Sequence, residues 1–394
     1  MSSAFIGGDS SMPQLIYQGS VKRLYDWGQD TSGRGILEFQ FSDAYSVFDY
    51  GTMPDLIPDK GQALASMARG FFRRLQNPAN WQPLASALEK SQVSWAIINE
   101  LTTQGLRTHW IEHPVLPPLS VAEKLSEKKN SLFTKKLSVH PPEKGVVAGE
   151  SVYRYPQGLG AGRVLPLEVV FRFAAPTGSS LYGRLTPAVL ARLGLDRPPT
   201  TEDRFSVPYV EFFTKLEPKD RFLDTERAMH YADLSLSRFQ ELCQRTVAVA
   251  IFIGHDFASR GLELLDGKLE WGLDHDGAII LVDSIGPDEL RIVEPRSGAM
   301  LSKEFLRQYY RKTDWYQQFT SKAIQLDGTK RSENAGSPPP LPPHVLSTAS
   351  DLYRVLAQVL EDEAPPHPVE STEKRRLQSW MDDLVKRINA CRLS

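Results

Sequence analysis

The hydrophobic pattern divides the chain into alternating strand-like and helix-like stretches. Leu15-Ile16-Tyr17 and Val21–Trp27 flank a turn containing Gly19-Ser20, and Gly35–Phe41 reads as a further strand. Gly61–Leu75 carries Leu64, Met67, Ala68, Phe71, Phe72 and Leu75 at helical spacing, which predicts an amphipathic helix. The charged stretch 118–150 reads as a surface excursion. Arg163–Phe173 is a strongly apolar strand. Ser235–Arg260 is a long helix with Phe239, Leu242, Cys243, Val247, Ala250, Ile251 and Phe257 on one stripe. After a breaker-rich linker at 327–347, Ala349–Leu360 and Thr372–Arg392 read as two further helices.

Leu264–Arg291 predicts a β-hairpin with unusual chemistry. Asp266, Lys268 and Glu270 alternate with Leu265, Leu269 and Trp271, so the three charged side chains share one face. A turn at Asp274–Gly277 leads into Ala278–Val282 and Asp283. With a loop of those turn residues alone, Lys268 pairs with Asp283, and Asp283 joins Glu270 on the same face. The plain alternative is a solvated polar face with cross-strand charge pairs. Acids clustered beside a lysine on rigid strands can instead hold Mg²⁺ and the phosphates of a nucleotide.

Composition narrows the choice. The chain has 394 residues, 41% of them hydrophobic and 24% charged, in keeping with a globular protein of two or three domains. Its net charge of −2 gives no global basic field for nucleic acid. Cys243 and Cys391 are the only cysteines, which excludes a disulfide scaffold and a cysteine-rich zinc site. The first residues lack a secretory pattern, and the longest apolar run, Val247–Ile253, is too short to span a bilayer. A cytoplasmic protein without nucleic-acid or membrane partners is expected, with homo-oligomerisation left open.

Further segments add to the hairpin. In Ile16–Tyr25 a glycine turn, Gly19-Ser20, precedes Lys22, so backbone N–H groups and an ammonium can lie along phosphates. Ser42–Asp49 contains Asp43 and Ser46 and is followed by Ile57-Pro58-Asp59-Lys60-Gly61. Leu167–Arg172 runs into Gly178-Ser179-Ser180, where a guanidinium fork and hydroxyls suit a phosphate monoester. For Arg172 alone, a structural salt bridge is the competing reading.

These segments, in this order, together with Leu106-Arg107-Thr108-His109 and Leu341-Pro342-Pro343, resemble the SAICAR synthetase family. The resemblance runs from about Leu15 to Leu360. It implies an α+β fold of two domains with ATP between them. Residues 14–115 would form a β-rich nucleotide-binding domain and 116–326 a central ligase domain, with a Pro-rich linker at 327–347 and C-terminal helices at 348–394. It implies an ATP- and Mg²⁺-dependent ligase that joins the carboxylate of carboxyaminoimidazole ribonucleotide to the amine of aspartate through an acyl phosphate, in purine biosynthesis. Carried over by position, Asp266, Lys268 and Asp220 are the catalytic set. Gly19, Ser20, Lys22, Lys215, Glu270 and Asp283 hold the nucleotide, with Glu270 and Asp283 also holding the metal. Asp43, Ser46, Lys60, Arg172, Ser179 and Arg291 bind the ribonucleotide substrate.

Departures from the family pattern cluster in two places. Ser20 stands where the family has a lysine and Ser284 where it has a glutamate, so one cation and one anion are lost together. Glu289-Leu290 replaces small residues before Arg291, so that a small hydroxyl beside the substrate becomes leucine, and Lys219-Asp220 replaces a His-Asp pair. These changes raise two competitors: a ligase for another azole nucleotide or amine, and a catalytically weak nucleotide-binding paralogue. Retention of Lys268, Glu270 and Asp283 argues against the second.

Overall fold

The computed structural model describes residues 13–48, 50–114, 129–148, 150–323, 336–361 and 372–393. A first antiparallel sheet has the order β1 (Gln14–Gln18), β2 (Lys22–Gln29), β3 (Gly35–Phe41) and β4 (Ser131–Lys135). Helix α1 (Lys60–Gln76) packs against β3 and β4, burying Leu64, Met67, Phe71 and Phe72 as its periodicity predicts.

Strand β4 overturns the reading of 118–150 as wholly a surface excursion. Leu132 pairs with Phe39, and Leu132 and Phe133 are buried. The apolar run is short and flanked by lysines, so its charge masks it. Lys135 and Lys136 turn out to be paired, with Asp274 at 2.6 Å and Asp26 at 2.5 Å. Glu127 and Lys128, which belong to the same stretch, lie outside the described residues. A separate hairpin, β5 (Glu143–Val147) and β6 (Glu150–Arg154), follows.

The second sheet contains β7 (Arg163–Arg172), β8 (Tyr209–Thr214), β9 (Phe222–Leu223), β10 (Glu263–Leu273), β11 (Ile279–Val282), β12 (Leu290–Glu294) and β13 (Ala299–Met300). Its order is β13-β12-β10-β7-β8-β9, with β11 also paired to β10. Helix α2 (Leu236–Ala258), N-capped by Ser235, covers one face through Phe239, Leu242, Phe252 and Ile253. The sheets are tied together by the extended segment at His109. The His109 N–H donates to Leu281 O (3.0 Å), while His109 O accepts from Lys135 N (2.7 Å).

One edge of β10 is shared. β12 pairs with Glu263–Gly267 and β11 with Glu270–Leu273, while 283–289 leaves the sheet between them. Gly267 permits this crowding: a Cβ there would lie 2.5 Å from Leu290 and 2.6 Å from Phe171. The hairpin register differs from expectation by one residue. Leu273 pairs with Ile279 and Glu270 with Val282, so the loop extends through Ala278. Asp274 N donates to Ala278 O and Asp276 Oδ1 accepts from Ala278 N, drawing that residue into the loop.

Beyond the sheet lie α3 (Glu304–Tyr310), α4 (Pro343–Glu361) and α5 (Thr372–Leu393). Helix α4 begins before Ala349, because Pro343 suits a first helical turn, and it packs on α1. Residues 327–335 of the expected linker fall outside the described set. Among the described residues no helix is long and apolar enough to cross a membrane.

Candidate active site

The gap beside β10 is where charge converges. Asp283 follows β11 with φ +65°, a left-handed conformation rare outside glycine. Since Val282 stands opposite Glu270, strict alternation would send Asp283 to the other face. The left-handed turn interrupts that alternation, and the Asp283 carboxylate instead meets Lys22 of β2. His109 braces the turn: its Nε2 donates to Asp283 O at 2.9 Å. The ring is buried edge-on against Phe39 and Phe72, and burial depresses its pKa to about 4. At neutral pH it is therefore an uncharged, fixed donor. His109 lies in a segment that carries the family resemblance, but nothing in its sequence spacing signals this role.

Three lysines alternate with acids around the turn. Lys22 pairs with Asp283, Lys215 with Glu270, and Lys268 with Glu168 at 2.6 Å. Burial disfavours the charge on Lys22, but Asp283, Glu270 and Glu289 outweigh it and raise the pKa. Burial also opposes ionisation of Asp283, yet Lys22, Lys215 and Lys268 hold its pKa well below the usual carboxylate range. Glu270 is raised, first by burial and then by the Asp283 charge. Burial raises the Glu168 pKa against the pull of Lys268, and the charge of the exposed Asp220 adds to the rise. Glu270 on β10 and Asp283 in the turn after β11 supply hard oxygen donors. That suits Mg²⁺, which takes one or two carboxylates and completes its shell with water and phosphate oxygens. Among the described residues no group of three or more acids, histidines or cysteines is arranged to hold a metal ion.

The glycine turn is less open than its sequence suggests. Gly19 N donates to Lys22 O (2.9 Å) within the turn, and Ser20 is exposed. On the opposite side, Arg172 is buried at the end of β7. Its Nε donates to Glu211 (2.7 Å), Nη1 to Asp266 (2.8 Å) and Nη2 to Ser180 Oγ (3.2 Å). Ser179 Oγ caps the following turn by accepting from Leu181 N. Arg291 approaches Asp266 at 3.4 Å and the buried Glu304 at 4.0 Å. Asp43 accepts from Gly61 N (2.9 Å) at the start of α1, and Ser46 is partly buried in the same loop.

Two sequence readings need revision here. Lys60 is fully buried, donating to Asp288 (2.9 Å), which also accepts from Tyr353 Oη (2.6 Å). Its ammonium locks α1 to α4 and is not presented to a substrate. Leu290 does not replace a hydroxyl beside the substrate; it is 2% exposed and packs over Gly267 in the core. The charged departure is its neighbour Glu289, whose backbone O accepts from Lys268 N at 3.0 Å.

Burial pushes the Glu289 carboxyl up to about 8, reinforced by Asp288 and Asp283 and opposed by Lys22 and Lys268. The folded protein thus retains a proton that the unfolded chain loses above about 4.5. Native stability contributed at this site falls as pH rises between those values. Glu289→Gln removes the titration. Its advantage in urea unfolding should grow by about 3 kcal/mol from about pH 5.5 to about pH 8. A difference independent of pH would contradict a proton held at Glu289.

The SAICAR synthetase family model matches residues 15–322. An Archaeoglobus fulgidus protein, provisionally named a phosphoribosylaminoimidazole-succinocarboxamide synthase, is 34% identical and covers 85% of this chain and 91% of its own. The Thermoplasma acidophilum protein of that name is 29% identical, covering 87% of this chain and 97% of its own. The Saccharomyces cerevisiae SAICAR synthase, solved in complex with SAICAR, shares the fold. Its TM-score is 0.53 at 20% identity, over 93% of this chain and 99% of that one.

Proposed function

The chain belongs to the SAICAR synthetase family, and from that premise we propose that it is an ATP-dependent ligase joining carboxyaminoimidazole ribonucleotide to aspartate. The observation that carries the reading is the convergence of Lys22, Lys215 and Lys268 with Glu270 and Asp283 beside a shared strand edge. A carboxylate is a poor acyl donor. Phosphorylation converts one of its oxygens into a leaving group, after which the amine nitrogen attacks the acyl carbon and phosphate departs. Such chemistry requires positioning and charge neutralisation rather than a protein nucleophile.

Lys22 and Lys215 are placed to hold nucleotide phosphates when these displace their present carboxylate partners. Glu270 and Asp283 would hold Mg²⁺, which when bound supplies further neutralisation of phosphate charge. Lys268, fixed by Glu168 and by its backbone bond to Glu289, faces the transferring group, with Asp266 and Asp220 completing the catalytic set. Arg172, Ser179 and Arg291 form the ribonucleotide side, with Asp43 and Ser46 on the adjoining loop. The reaction belongs in the cytoplasm with the rest of purine synthesis.

The test is ADP release with Mg²⁺-ATP, the ribonucleotide and a panel of amino acids. Turnover should require all components and be fastest with aspartate. Preference for another amino acid would assign a divergent ligase. ATP binding without ADP release for any amine would reject the ligase reading.

A further inference from the structure

Resting on that reading, we propose that Arg311 is a further substrate-binding residue, supplying an exposed guanidinium to the phosphate monoester of the ribonucleotide. Arg172 then serves as the buried anchor beneath it. The argument begins with what each guanidinium has left to offer. The Arg172 side chain is only 4% exposed, and each of its three nitrogens already donates, to Glu211, Asp266 and Ser180. Those bonds take three of its five N–H groups, and burial among Glu211, Asp266 and Ser180 closes the side chain to an incoming ligand.

Arg311 is different. It follows α3, pairs with the buried Glu304, and remains 35% exposed. Its Nη2 lies 3.9 Å from where a Cβ on Gly178 would project, beside the Ser179 turn. Gly178 has φ +77°, and the absent side chain leaves that approach open. The Arg311 guanidinium also stands 5.6 Å from the Phe48 ring centroid, on the loop that carries Asp43 and Ser46. It therefore stands beside two segments of the ribonucleotide side and is linked to a third, Arg291, through Glu304.

Charge supports a dianion here. The connected network contains Arg172, Arg184, Arg291, Arg307 and Arg311 against Glu211, Asp266 and Glu304. The surplus of positive charge matches a phosphate monoester. Glu304 fixes the orientation of Arg311, so that the remaining guanidinium edge is preorganised for oxygen.

Arg311→Met in the full chain should raise the KM for the ribonucleotide by roughly 10–100-fold, the range expected from losing a charge-assisted pair. The KM values for ATP and aspartate should stay within about twofold. With the corresponding riboside, which lacks phosphate, the parent and variant should have similar kcat/KM. Arg311→Lys, keeping the charge but not the fork, should fall between. Binding of ribose 5-phosphate, followed by calorimetry, should weaken by at least about 10-fold in Arg311→Met. That measurement needs no turnover, so loss of binding in a protein that makes no amide would reject the proposed function while upholding Arg311 as the phosphate residue. Unchanged ribonucleotide KM and ribose 5-phosphate affinity would overturn the proposal. So would a rise in the KM for aspartate alone, which would assign Arg311 to a carboxylate of the amine.

Discussion

Asp283→Asn should lower ribonucleotide-dependent ADP release by ~10²–10³-fold, a loss typical of removing one preorganised electrostatic contact at a reacting centre. The substitution is nearly isosteric, and asparagine tolerates the left-handed backbone that Asp283 occupies at φ +65°. His109 can still donate to the main-chain oxygen of residue 283, because that bond does not involve the side chain. What disappears is the anion that Lys22, Lys215 and Lys268 hold ionised. The melting temperature should therefore move by only a few degrees, while use of Mg²⁺-ATP collapses. Asp283→Ala should be less stable than Asp283→Asn by about 1 kcal/mol, since alanine lacks asparagine's tolerance of that backbone. Parent-like turnover in the folded Asp283→Asn protein would refute the assigned role.

The same residue shows what was legible in the sequence. The two-residue alternation correctly placed Asp266, Lys268 and Glu270 together, because strand geometry leaves no other arrangement. It reached the association of Asp283 with Glu270 by an incorrect register. Ala278 joins the loop, and the left-handed turn, braced by a distant histidine, compensates for the slip. Neither feature has a sequence period. Lys60 was misleading for a related reason: a lysine at a helix start looks accessible until α4 brings Tyr353 and the Asp288 pair over it. Glu211 and Glu304 escaped notice because isolated acids read as solvated, whereas burial with several arginines is a tertiary outcome. Helices α1 and α2 were legible along their lengths, since each buries a broad apolar stripe, whereas α4 starts ahead of the apolar run that announced it.

Arg172→Met should destabilise the fold by about 3 kcal/mol, near the lower end for breaking a buried ion pair. Arg172, Glu211 and Asp266 are 3%, 3% and 5% exposed, so solvent cannot readily replace the lost guanidinium. Each acid does retain a second arginine, Arg184 at 2.8 Å from Glu211 and Arg291 at 3.4 Å from Asp266, which moderates the penalty. The stranded charge also predicts coupling. Adding Asp266→Asn to Arg172→Met should recover at least about 1 kcal/mol relative to the sum of the single changes. Urea unfolding of the four proteins measures this directly. Strict additivity would mean that Arg172 does not carry the Asp266 charge in the folded protein. A loss of ribonucleotide affinity without any loss of stability would return Arg172 to the role of a direct phosphate ligand. The contrast with Arg311→Met is then the decisive one: the buried arginine should move the unfolding curve, and the exposed arginine the ribonucleotide KM.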